Sequence, residues 1–177
     1  ILLLMTPLLV LSQIQINEIF ADNGSCCLDG SLETEDFLEL INVGPSPINI
    51  AGYYFGDQDG GSVIPAGFPE LTTISSGGVL LLWFDEDLDQ GPLHVDSKLN
   101  NDGEVILGLN SEGDTIINVE YGSQIEDVSF ASFPDGQPYG QGWGFTMCPT
   151  PGLLNDACPL VEGCTSLNAV NYSLEAT

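Results

Sequence analysis

Short apolar segments separated by polar, turn-rich stretches recur along the whole chain, and no segment holds a helical period over eight or more residues. The first such segment, 14–20 (IQINEIF), sets Ile14, Ile16 and Glu18 against Gln15, Asn17 and Ile19. That imperfect alternation is common in an edge strand. Segment 36–43 (DFLELINV) alternates more cleanly, with Phe37, Glu39 and Ile41 on one face and Leu38, Leu40 and Asn42 on the other. Segment 51–56 carries Tyr53, Tyr54 and Phe55, and 79–84 (VLLLWF) is an unbroken apolar run that reads as the central strand. An acidic loop follows it, and strands resume over 104–109, 114–121 and 125–133, ahead of a Gly-rich aromatic stretch with Trp143 and Phe145. Pro45, Pro47, Ser76-Gly77-Gly78, Asn110 to Gly113 and Pro134-Asp135-Gly136 supply the turns. Seven to nine short strands at this spacing predict an all-β fold, a β-sandwich of two packed sheets.

Length and termini divide the 177 residues into three parts. Residues 1–12 (ILLLMTPLLVLS) read as the hydrophobic part of a secretory signal cleaved after Ser12, and they are too short to span a bilayer. Residues 13–157 are enough for one sandwich with its own core, and 158–177 read as a linker and the start of another unit. Five cysteines fit an oxidising compartment. Cys26 and Cys27 are neighbours that do not readily bridge each other, so both are expected to pair with Cys148 and Cys158, with a metal site as the alternative. Closing a loop that long stabilises by about 2–5 kcal/mol. Cys164 is expected to find its partner beyond residue 177.

Charge changes the picture most. There are 26 acidic residues against a single basic one, Lys98, for a formal net charge of −25. Such a surface repels phosphates and anionic headgroups, which excludes nucleic-acid binding and membrane insertion or surface binding as functions. It attracts cations, so a saline medium or one with millimolar Ca²⁺ is implied, and both lie outside the cell. General adaptation to salt, with no specific site, is the plainer account of the same composition.

Within the acidic loop, Asp85, Asp87 and Asp89 stand at alternate positions, with Asp96, Asn100 and Asp102 beyond them. A curling loop with that spacing aims several oxygens at one Ca²⁺, although the EF-hand pattern is missing and a solvated acidic loop fits as well. Asp57 and Asp59 form a second metal candidate. No other cofactor is indicated. His94 sits among carboxylates and is expected to hydrogen-bond within the loop rather than act as a base. Lys98 is expected to lay its stem on the sheet and pair with an acid. Glu18 and Glu39, inside apolar strands, resemble an acid–base pair but fit a structural role better, as does Trp83. The scattered Trp83, Trp143, Tyr53, Tyr54 and Tyr139 fit core packing better than a sugar platform. No phosphate loop, nucleophile elbow, zinc-protease motif or dinucleotide fingerprint occurs, so nothing points to an enzyme.

With these segments placed, a resemblance is visible. Ile16-Asn17-Glu18-Ile19, the Asp36 to Asn42 strand, Asn49 to Phe55, Ile64-Pro65-Ala66-Gly67, the Trp83 to Gly103 segment, Phe133-Pro134-Asp135-Gly136 and Pro149-Thr150-Pro151-Gly152 resemble the bacterial secreted branch of the lamin-tail domain. The resemblance implies an immunoglobulin-like β-sandwich without catalytic activity, a module of a large exported protein. No heptads are present, so a filament role is not supported. The closing GCTSLNAVNYSLEAT is similar to a short Cys-Thr and Asn-Tyr repeat of exported Bacteroidetes proteins, with Val170 where a second Cys often stands. The expected function is a structural or protein-interaction module, secreted or on the cell surface, whose partners are neighbouring domains, surface proteins or glycans. The alternative is a calcium-dependent carbohydrate-binding accessory module of a secreted hydrolase.

Overall fold

The two strands whose apolar residues occupy both faces meet at the middle of the larger sheet. In the computed structural model, which describes residues 12–155, β1 (Ile14–Phe20) and β2 (Asp36–Asn42) pair antiparallel along their whole length. On the other side β1 pairs with β11 (Ser129–Ser132), which in turn pairs with β12 (Trp143–Thr146). β2 pairs with β7 (Val79–Phe84), and β7 runs parallel to the short β8 (His94–Val95). The sheet order is therefore β12-β11-β1-β2-β7-β8. A second sheet has the order β10-β9-β4-β5, built from β4 (Tyr54–Gly56), β5 (Gly61–Val63), β9 (Val105–Leu109) and β10 (Thr115–Glu120). β3 (Ile48–Asn49) and β6 (Thr73–Ile74) form a small ribbon, and one helical turn, α1 (Pro69–Thr72), leads into β6. The expected all-β sandwich is what forms.

One core lies between the sheets. Ile14, Ile16, Ile19, Leu38, Leu40, Leu82, Phe84 and Val95 from the larger sheet meet Phe55, Ile106 and Ile117 from the smaller, with Ile50, Ile64 and Ile74 closing one side. Each such side chain removed from water stabilises by roughly 1.5–3 kcal/mol before chain entropy is subtracted.

The larger sheet is buried on its outer face too. Phe20 and Phe37 are fully buried outside that core, and Phe37 meets Phe20 and Trp83 edge to face at centroid distances of 5.2 and 5.8 Å.

Three local expectations change. β1 is not an edge strand: its alternation is imperfect because the register with β2 shifts between Ile16 and Glu18, leaving Asn17 as an extra residue. Such a bulge moves every later side chain to the opposite face, so Ile19 turns into the core and Glu18 out of it. The centre of the sheet is β1–β2, and β7 is next to the edge. Lastly, the acidic loop is not all loop. Trp83 and Phe84 recruit His94 and Val95 as a parallel strand, and the Asp57 to Gly61 loop proves to be the turn of the β4–β5 hairpin. The proposed signal at 1–12 (apart from Ser12), Cys158, Cys164 and the tail at 158–177 lie outside the described residues.

Candidate functional site

Carboxylates gather in three places, and the first is the outer face of the larger sheet. Glu18 and Glu39 are direct cross-strand partners on β1 and β2, and both are fully buried. Glu18 Oε1 accepts the Ser129 hydroxyl at 2.5 Å, and both Glu18 oxygens accept the Thr150 amide at 3.3 Å. Glu39 Oε1 accepts from Asn17 Nδ2 at 3.0 Å and Oε2 from the Gly152 amide at 2.8 Å. The bulged Asn17 also donates to Asp135 Oδ1 at 2.8 Å, and its Oδ1 accepts the Gly136 amide at 3.0 Å. Asn155 completes the network: its Nδ2 donates to the carbonyls of Asn17 and Ser132 at 3.1 and 3.0 Å, and its amide donates to Asp135 Oδ1 at 2.8 Å. The closing segment 149–155 is thereby fastened across β1, β2 and β11.

Burial raises the Glu18 carboxyl above its ordinary range. For Glu39, burial is the largest effect, the Asn17 hydrogen bond opposes it, the Glu18 charge adds to it, and the result is a carboxyl pushed up to about 8. The pair therefore holds a proton at neutral pH. That is what a general acid would need, but each oxygen already accepts from the chain itself, and neither residue lines the acidic cleft described next. Both carboxylates are thus engaged by donors of the chain itself.

The second gathering is an open cleft of about 810 Å³ at one end of the sandwich, lined by Asp22, Asp36, Asp57, Asp59, Glu86, Asp96 and Glu104, with Lys98 on its wall. Several of these carboxylates are tied to turns. Asp57, buried, accepts the Ser97 hydroxyl and the amides of Asp59 and Gly60. Glu104 Oε1 accepts the Asn100 amide at 2.7 Å and the Tyr121 hydroxyl at 2.9 Å. Asp36 accepts the Asn23 amide at 3.1 Å, and burial raises its carboxyl to about 6. Asp57 and Asp59, expected as a second metal pair, share the cleft, but Asp57 is committed to its own turn.

The third gathering joins the loop after β1 to the loop after β7. Asp29 Oδ1 accepts the amides of Ser31 and Glu33 at 2.9 and 2.8 Å, which curls residues 28–34 into a closed turn. Asp85 Oδ1 accepts the Asp87 amide at 3.0 Å, and Asp85 Oδ2 contacts His94 Nδ1 at 2.5 Å. Asp29, Asp85 and His94 form one buried group, and Glu33, Glu35 and Asp87 a more exposed one.

The five carboxylates expected to meet at one Ca²⁺ are thus divided. Asp85 turns inward to His94, Asp87 joins the more exposed group, and Asp89, Asp96 and Asp102 belong to neither. The reason is β8: pairing with β7 pins His94 and Val95 to the sheet, so the loop cannot curl around a common centre. His94 does hydrogen-bond within the loop, as expected. Lys98 does not form the expected ion pair: the contact between His94 and Asp85 is the only one within 4.0 Å among the described residues, and Lys98 is exposed.

The cysteines differ as well. Cys26 and Cys27 bond each other, with their Cα atoms 3.8 Å apart, so neither ties the first loop to Cys148 or Cys158; Cys148 is itself disulfide-bonded. Neighbouring sulfurs meet without the entropy of closing a long loop. The position of that first loop is set instead by Asp127, which accepts the amides of Gly24 and Ser25 at 3.0 and 2.8 Å.

Among the described residues the aromatic rings pack at an angle to one another rather than as a flat row. Tyr53, Tyr139 and Trp143 pack against the core, and Phe130 stacks at tilted angles with Trp143 and Phe145, with centroids 5.4 and 5.0 Å apart. Asn17, Asp29, Asp135 and Asn155 escape sequence reading, because a single polar residue at a bulge or in a turn carries no periodic signal. The one available hint is the break in β1 alternation at Asn17.

No curated protein and no solved structure matches the chain. Lamin tail domains have an immunoglobulin-like, noncatalytic fold, in keeping with the sandwich and with carboxylates spent on the chain's own hydrogen bonds. The sequence model of that family, described as Lamin Tail Domain, matches residues 10–123, more than half of the chain, and this protein therefore belongs to the lamin tail domain family.

Proposed function

We propose that the chain is a noncatalytic structural or protein-interaction module of a secreted or cell-surface, multidomain bacterial protein. The observation that carries this reading is the use of Glu18 and Glu39, the pair closest to acid–base chemistry, as anchors for the closing segment. The outward chemistry that remains is acidic loop and cleft, suited to contact with neighbouring domains or surface proteins through cations or basic side chains. The export context is supported by the apolar leader-like stretch, the cysteines and the charge of −25.

Two measurements test the proposal. Purified protein is assayed against chromogenic ester, phosphate, glycoside and peptide substrates, and no turnover is expected. Turnover that disappears in Glu39→Gln would overturn the noncatalytic reading. Carboxylate-directed cross-linking of the intact secreted polypeptide should join the cleft residues Asp59 or Asp96 to another domain. Chelator-sensitive binding on a glycan array, without such cross-links, would favour the carbohydrate-binding accessory module instead.

A further inference from the structure

Asp29 comes from the loop after β1 and Asp85 and His94 from the two ends of the loop after β7, yet each places a ligating atom within 4.8 Å of the other two. All three are more than nine-tenths buried, at 6%, 2% and 9% exposure. Asp29 Oδ1 is occupied by two amides, while its Oδ2, also buried, has no hydrogen-bond partner. Asp85 Oδ1 is likewise taken by the Asp87 amide, which leaves Oδ2 facing His94 Nδ1. One carboxylate oxygen of the group, Asp29 Oδ2, is thus left away from water with no donor to satisfy it. A buried charge in that state is costly unless something pairs with it. Lys98, the one basic residue in the sequence, does not do so: among the described residues it forms no ion pair within 4.0 Å.

We propose that Asp29, Asp85 and His94 form a binding site for a first-row divalent transition metal, with Zn²⁺ the best fit. One imidazole nitrogen and two carboxylate oxygens are a zinc-type ligand set, and water completes a four-coordinate shell. Ca²⁺ takes oxygen ligands alone, so the histidine argues against it at this position. A divalent ion supplies the partner that Asp29 Oδ2 lacks and joins it to Asp85 and His94. The more exposed Glu33, Glu35 and Asp87 rim the same region, since Glu33 and Asp87 donate their amides to Asp29 and Asp85. That rim concentrates cations at the site. Once bound, the ion clamps the 28–34 turn onto the strand β7 and β8 ends. This goes beyond the module reading and does not depend on it.

His94 is the only histidine in the sequence, so its ring nitrogens report on this site alone. Chelator-treated protein is titrated with ZnCl₂, following heat, melting temperature and the His94 ring resonances by ¹H–¹⁵N NMR. The expected result is one ion per chain, a shifted ring nitrogen and a raised melting temperature, with CaCl₂ leaving the ring unchanged. Asp29→Asn keeps an acceptor for the two amides but loses the charge. It should retain the parent circular dichroism spectrum and bind Zn²⁺ at least about 10-fold more weakly. Zinc that leaves the His94 ring unshifted, or that binds Asp29→Asn as tightly as the parent, would overturn the assignment.

Discussion

Replacing Glu39 by Gln should flatten the pH dependence of stability. The Glu39 carboxyl lies near 4.5 in an unfolded chain and is pushed up to about 8 in the folded one, chiefly by burial. Below 4.5 both states hold the proton, so the contribution to stability is fully present there. Between 4.5 and 8 the folded state holds a proton that the unfolded state has released, so rising pH favours unfolding; above 8 the loss is complete. At about 1.4 kcal/mol per pH unit the whole span amounts to about 5 kcal/mol. Asp36, raised to about 6, and Glu18, raised by the same burial, act in the same direction. The informative quantity is therefore the difference between parent and variant. Gln cannot accept from both Asn17 Nδ2 and the Gly152 amide without turning its own NH₂ toward a donor. Glu39→Gln thus starts with a fixed penalty of about 1–3 kcal/mol. Urea unfolding at pH 5, 6, 7, 8 and 9 measures both. The gap between parent and variant should close, or reverse, as the pH rises from 5 to 8. Parallel stability curves over that interval would show that Glu39 does not carry a raised carboxyl and would refute the argument.

Three further substitutions probe other links. Asn155→Ala removes the donor shared by the Asn17 and Ser132 carbonyls, both buried, and should cost about 2–4 kcal/mol in urea unfolding. It should also increase amide exchange in 149–155. Gly103 has φ +96°, and a Cβ there would sit 2.5 Å from the Tyr121 carbonyl oxygen, so Gly103→Ala should cost about 1–3 kcal/mol, seen as a lowered melting temperature. Phe37→Ala empties the outer-face aromatic cluster between Phe20 and Trp83, with an expected loss of about 3–5 kcal/mol and a changed Trp83 fluorescence.

The pattern of β-branched and aromatic runs was enough to place β1, β2, β7, β9 and β10 and the faces of β2, because period-two alternation depends on local chemistry alone. Where local signals failed, a partner distant in sequence had decided the outcome. Asn17 bulges because Asn155 and Asp135, more than a hundred residues away, use its carbonyl and side chain. His94 and Val95 become a strand only because Trp83 and Phe84 present an open edge to them. Alternate aspartates after β7 suggested one ion, but spacing along a chain says little once the middle of the loop is pinned to a sheet. Asp29 lay in a Gly-rich turn indistinguishable from others until the fold set it beside Asp85.

The fastening of Asn155 to β1 bears on where this unit ends. The family model's match ends at residue 123, yet β11 and the strap across the outer face, which come later, are bonded to the first strand of all, and β12 is paired to β11. A fragment trimmed at 123 would strip β1 of a neighbour and leave two acids that are built for a dry environment facing water. Anyone grafting or excising this unit should carry the chain through at least residue 155, because its first and last described segments are one joint.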